Sequence, residues 1–148
     1  MERILVGIDG SAPSLKAVDF AADLASKYNA ELILLKVVED RPPELEAAVE
    51  AYARSEHMPA AEAKLVLTMD DDILDNARRE ALAKGATQIS IEPSFGELAA
   101  QIVAAARDRE ADLIVVGSRG HGRLAGLLIG SVAQKVVSLA HCPVVVVR

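Results

Sequence analysis

Five glycines fall within the fourteen residues from Gly117 to Gly130, with the spacing Gly117-x2-Gly120-x9-Gly130-Ser131. Glycine permits positive φ and lets backbone N–H groups approach a ligand with no Cβ in the way. Ser131 opens a helix-like run with Gln134 three residues on, the S-x-x-Q spelling of a capping box. A helix start offers N–H groups without intrahelical partners and a partial positive charge, and both favour phosphate. Arg119, His121 and Arg123 stand among the glycines, and no acid does. The chemistry that fits is a cradle for a phosphate-bearing anion. The competing reading is a flexible surface loop followed by a well-capped helix.

Two nucleotide patterns can be tested against this stretch. The P-loop spelling fails, because Gly130-Ser131 lacks the lysine. Gly120-His121-Gly122-Arg123-Leu124-Ala125 spells a dinucleotide fingerprint, but no acid follows Asp112 to hold a ribose. That match also begins three residues past the expected strand end, so it is a coincidence of spelling. Asp9 has two open readings. It can accept hydrogen bonds from a ligand, or Asp9-Gly10-Ser11 can be an ordinary turn.

Other chemistry finds little support. His57, His121 and His141 make no helical ligand pair, so no protein-built metal site is expected. A nucleotide could still bring Mg2+ held mainly by phosphates and water. Ser118 and Ser131 have no base nearby in sequence and no nucleophile elbow. The single Cys142 excludes an internal disulfide and reads as a small buried hydrophobe.

Charge is distributed unevenly. The chain carries a net −6, which argues against a nucleic-acid or membrane-surface partner. Yet residues 113–148 hold no Asp or Glu, and Arg119, Arg123, Lys135 and Arg148 make that quarter +4. The other 112 residues hold 12 bases and 22 acids. The glycines therefore lie in a cationic quarter of an acidic chain. Met1-Glu2-Arg3 runs straight into a strand-like segment, and no apolar run reaches the ~18 residues of a membrane span. A soluble, cytoplasmic protein is expected, with no membrane and no nucleic acid as partner.

These residues need a frame that brings them together. At 148 residues, one domain over 1–148 is expected. The aliphatic composition, with two Phe, two Tyr and no Trp, suits a buried parallel sheet. Strands are expected at Ile4–Ile8, Glu31–Val38, Thr87–Ile91, Asp112–Val116 and Pro143–Val147. Helices should follow Ser11, with Pro13 in the first turn, span Asp70–Lys84 up to Gly85, follow Gly96, and start at Ser131. Residues 40–67 form the least legible stretch, a variable and mobile connection with some helix. The fold expected is α/β, a doubly wound, Rossmann-like, five-stranded parallel sheet in the order 3-2-1-4-5, with helices on both faces. Asp9 and Gly117 then share the carboxyl edge of the sheet, where such folds bind ligands. The apolar strand Val144–Val147 should be covered by a second subunit.

ILVGIDGS, LLKVVED and DLIVVGSRGHGRLAGLLIGSVAQKVVSLAHCPVVVVR together resemble the universal stress protein family. The resemblance covers essentially the whole chain, with residues 40–67 the least matched, and the glycine spacing is that of the nucleotide-binding branch. It implies an ATP- or AMP-binding protein that dimerises through its last strand. By the same resemblance, Gly7, Ile8 and Asp9 line the adenine and ribose side, and Val37 contacts adenine. Val116 and Gly117 lie near the ribose and α-phosphate, and Gly120, Gly130, Ser131 and Val132 hold the phosphates. Gly7 departs from the family, where Pro or Ala is frequent, and this loosens the adenine wall. The leading function is a regulatory adenine-nucleotide-binding stress-response dimer acting on an unidentified client protein. The alternatives are a slow ATPase, for which no general base is visible, and a dimeric interaction module that needs no nucleotide.

Overall fold

The computed structural model describes residues 1–38, 43–69, 72–118 and 129–148. Five aliphatic runs form strands: β1 (Arg3–Ile8), β2 (Glu31–Val38), β3 (Gln88–Phe95), β4 (Leu113–Gly117) and β5 (Val144–Val147). They make one parallel sheet in the order β3-β2-β1-β4-β5, as the alternation of elements implied. Parallel neighbours require long crossovers, and the helices supply them. These are α1 (Ala12–Tyr28), α2 (Pro43–Ser55), α3 (Ala60–Met69), α4 (Asp72–Ala83), α5 (Leu98–Asp108) and α6 (Ser131–Leu139).

The central strands are apolar on both sides because both sides are covered. Ile4, Val6, Ile8, Leu32, Leu34, Leu113 and Val115 pack with α1 and α4 in one core. Leu5, Ile33, Leu35, Ile114 and Val116 pack with α5 and α6 in the other. Truncating one of the fully buried side chains, such as Leu34 or Ile114, to Ala should cost ~2–5 kcal/mol. The helix α1 turns its small residues Ala17, Ala21, Ala22 and Ala25 to the sheet and ends at Asn29, whose φ of 53° caps it in the left-handed region. Gly85, at φ +92°, plays that part after α4. There Lys84 Nζ lies 2.9 Å from Asp19 Oδ1, which ties α4 to α1 and raises the lysine pKa.

Three local expectations change. Helix α4 starts at Asp72 and stops at Ala83, and residues 70–71 lie outside the described residues. The stretch 40–67, expected as a mobile connection with some helix, carries α2 and most of α3 in its described part. The strand β3 runs past Ile91 to Phe95, although Glu92-Pro93-Ser94 spells a turn. Pairing along the whole of β2 extends it, from Glu31↔Gln88 to Val38↔Phe95. Ile89 and Ile91 pack on the core, while the alternate residues are clamped by polar contacts. Arg109, the C-cap of α5, pairs with both Glu31 and Glu92, and Ser90 Oγ donates to Glu31 at 2.8 Å. Ser94 Oγ donates to Gln101 of α5 at 2.5 Å. Pro93 also removes a donor from this edge strand, a position where proline is tolerated.

The amino edge of the sheet is closed by Asp112. One carboxylate oxygen accepts from the backbone N–H groups of Glu2 and Arg3, at 2.7 and 2.9 Å, and these bonds depress its pKa. Among the described residues, no helix is long and apolar enough to cross a membrane.

Candidate functional site

The strands β1 and β4 are neighbours, but their chains leave in opposite directions. After β1 the chain enters α1 on one layer, and after β4 it reaches α6 on the other. The β1–β4 ladder ends at Val6↔Val115, two residues short of Ile8 and Gly117. On the outer sides, pairing continues to Ile8↔Lys36 and to Gly117↔Val147. Such a switch point leaves a crevice at the carboxyl ends of the strands, where this class of fold takes ligands.

Strand alternation decides which expected residues can line it. Val37, Val132 and Leu98 are partly buried against the α5/α6 core, and Val116 is buried within it. Gly7 faces the same layer, and a Cβ there would lie 2.8 Å from Cδ1 of Ile102. Ile102 therefore fills the room that a larger residue would take at position 7. Ile8 is different, for its side chain is 3% exposed and packs in the α1/α4 core. Only its backbone remains at the strand end.

Asp9 is held in a turn. Its Oδ1 accepts from Ser11 N at 2.8 Å and Ser11 Oγ at 2.5 Å, and its own N–H donates to Ser14 Oγ at 3.1 Å. Ser11 is also the N-cap of α1, accepting from Ser14 N at 3.3 Å, with Gly10 at φ +80° between. The turn reading thus holds for Asp9, and the residue sits at the tip of β1 beside the switch point. Ser14 escaped sequence inspection. Its place three residues after the cap was the available signal.

Gly117 is required by packing. A Cβ there would meet the backbone C and O of Pro13 at 2.8 and 2.9 Å, so the start of α1 presses on the end of β4. Next to it, buried Ser118 donates its N–H to Val147 O at 2.6 Å and accepts from Gly130 N at 2.6 Å. One residue therefore joins the end of β5 to the start of α6. Gly120, with Arg119, His121 and Arg123, lies outside the described residues.

The capping box expected at Ser131 is not formed. Gly130 is the N-cap, with extended φ −71° and ψ 166°, and no side chain caps the helix. Ser131 is the first helical residue and is exposed. Gln134 reaches back instead to the Ile129 carbonyl, at 3.1 Å. The spelling misled by one position, because the extended residue that must precede a helix is the glycine. Beside it, α5 is capped by Glu97, whose carboxylate accepts from Ala99 N at 3.3 Å and Ala100 N at 2.8 Å. Those bonds lower the Glu97 pKa, and Lys135 of α6 stands 3.5 Å away. At β2, burial pushes the Lys36 amine down from its ordinary value. Among the described residues, no group of three His, Cys, Asp or Glu could hold a metal ion.

The sheet order and the parting of β1 and β4 define an open, doubly wound α/β domain, a class that takes ligands at this edge. Residues 1–148 match the family model described as the universal stress protein family. Universal stress protein YxiE of Bacillus subtilis is 37% identical, over 99% of this chain and 98% of its own. A universal stress protein solved in complex with cAMP is 33% identical, with a TM-score of 0.70 over 99% of this chain and 96% of that one. UspA from Lactobacillus plantarum superposes with a TM-score of 0.73 at 28% identity, over 99% of this chain and 97% of its own. The chain belongs to the universal stress protein family.

Proposed function

We propose that this chain is a regulatory adenine-nucleotide-binding protein that takes ATP, ADP or AMP at the carboxyl ends of β1 and β4. The observation that carries the reading is the start of α6. Its N-cap is a glycine, which offers no capping side chain, and the Gly130 N–H is bonded to the Ser118 carbonyl beside the end of β4. A relative at 33% identity binds cAMP, an adenine nucleotide with one phosphate, which supports the same ligand class here.

In this reading Gly7 and the backbone of Ile8 line the adenine and ribose side, and Val37 meets the base. Asp9 accepts a ligand hydrogen bond with its carboxylate. Val116 and Gly117 flank the ribose and α-phosphate. Gly120, Gly130, Ser131 and Val132 hold the phosphates, and Mg2+ arrives coordinated by phosphates and water. Among the described residues the strand β5 pairs with β4 alone, and its four valines carry neither charge nor proline. Covering that edge with β5 of a second copy gives a homodimer, which acts on a client protein in the cytoplasm.

Thermal unfolding with and without ATP tests the central claim. Nucleotide at 100 times Kd should add about 2.7 kcal/mol. That corresponds to roughly 5–10 °C in Tm for a domain of this size. A protein that is purified free of nucleotide and shows no shift would exclude nucleotide binding and leave the interaction module. Phosphate release that disappears in Asp9→Asn, which keeps the turn acceptor, would instead favour slow hydrolysis.

A further inference from the structure

Helices α2 and α3 pack against each other as a hairpin, and Val49 on one and Ala63 on the other are buried. Between them lies a groove of about 220 Å³, floored by Leu45, Val49, Ala60 and Ala61. Pockets for drug-sized ligands run about 300–1,000 Å³, so this groove suits anchoring side chains of a larger partner. Its apolar surface continues along α3, because Leu65 stands one turn beyond Ala61 and is 46% exposed, with Val66 at 40%. Among the described side chains of α3, Ala63 alone is buried, while Leu65 and Val66 stay exposed.

The rim chooses the partner. Glu46 and Glu50 line the groove one turn apart on α2, and Glu50 also stands 3.8 Å from Arg54 across an exposed surface. The lysine in the lining, Lys64, is turned over the Phe95 ring at 3.9 Å. Residues 43–69 as a whole carry five acids against two bases. A second copy would bring the same acidic surface, and nucleic acid or an anionic membrane would be repelled. We propose that the α2–α3 groove docks a basic amphipathic helix of a partner protein. Its apolar stripe would enter between Leu45, Val49, Ala61 and Leu65, and its Lys or Arg residues would meet Glu46 and Glu50. This is the helix-in-groove mode of recognition, read here with opposite charges at the rim. None of its lining residues is among those proposed to meet the nucleotide, and the docking needs no nucleotide.

A fluorescein-labelled helical peptide with leucines at heptad spacing and lysines elsewhere is the probe, titrated into the whole protein by anisotropy without nucleotide. Its glutamate counterpart is the control. The lysine peptide should bind and the glutamate peptide should not. The exposed double substitution Glu46→Lys, Glu50→Lys should weaken binding roughly tenfold or more, with a matching loss of salt dependence. Leu65→Ser should also weaken it, with unchanged circular dichroism. Glu80→Lys on α4 serves as a reversal remote from the groove and should leave affinity within about twofold. Equal weakening by Glu80→Lys would reduce the effect to overall charge and overturn the proposal. So would a Leu65→Ser variant that binds as well as the parent. A lower sedimenting mass of Leu65→Ser alone would show the groove occupied by a second copy, which also overturns it.

Discussion

Helices α5 and α6 lie on the same layer of the sheet and pack together, yet the chain completes their first turns differently. At α5 it supplies its own anion, since the Glu97 carboxylate accepts from two backbone N–H groups. At α6 it supplies a glycine, and among the described residues no side chain caps the first turn. A helix start carries about half a positive charge and several unmet donors, so each start stabilises an anion placed there. One start is satisfied by folding alone. The other, beside the end of β4, is the one proposed to receive an external anion, and this contrast underlies the proposed nucleotide site.

The sharpest way to break the contrast is to give α6 what α5 has. Gly130 already adopts extended N-cap backbone, so Gly130→Asp should fold without strain and cap the helix itself. ATP affinity should fall roughly a hundredfold, as one or two charge-assisted bonds worth ~1.5–3 kcal/mol each are pre-empted. Unfolding midpoints without nucleotide should hold or rise. Calorimetric titration alongside thermal melts reads both, and an undiminished affinity would remove α6 from the site.

The other end of the same loop should answer differently. Gly117→Ala places a Cβ against the Pro13 backbone, which cannot swing aside as a side chain can. It should lower stability by about 2 kcal/mol in urea unfolding, with or without nucleotide. Gly7→Ala meets only the movable end of Ile102 and should cost less.

At α5, Glu97→Ala should cost about 1 kcal/mol of stability and leave ATP affinity unchanged. The pH dependence has a definite sign. The Glu97 pKa is lowered by folding, chiefly through the Ala100 N–H bond, so its contribution is full above the ordinary carboxylate value of 4.5. It is lost as pH falls through the lower, folded value. The stability difference between the parent and Glu97→Gln should therefore shrink on acidification, and a constant difference would show that the charge is immaterial.

Lys135 stands 3.5 Å from Glu97 and links the two helix starts across an exposed surface. Lys135→Ala should change stability by only ~0.3 kcal/mol, and a double-mutant cycle with Glu97→Ala should give a coupling of that size.

Much of this could be read before any coordinates. The strands announce themselves because runs such as ELILLKVV are apolar on both faces, which is what a sheet buried between helix layers needs. The loop glycines, Asp9 at a strand end and Ser11 before Pro13 are local signals with local causes. Residues 43–69 were harder. Pro42-Pro43 and His57-Met58-Pro59 spell breaks around their helices, and α3 is apolar on most sides, so it shows no clean amphipathic period. The tail of β3 spelled a turn, and only pairing with β2 and the Arg109 and Gln101 contacts made it strand.

The sequence by itself determined the order of strands and helices, the cationic glycine-rich quarter and the family, because these follow from periodicity, composition and motif spacing along the chain. Tertiary structure decided which layer each side chain meets. It buried the Ile8 side chain with α1 and α4, pressed Gly117 against Pro13, moved the α6 cap from Ser131 to Gly130, and brought Val37, Leu98, Val116 and Val132 to one core. The physical reason is that a strand's two faces and a helix's first donors are assigned by what packs or bonds across space. Spacing along the chain brings the right residues to the edge of the sheet, and packing determines which of their atoms remain to meet a ligand.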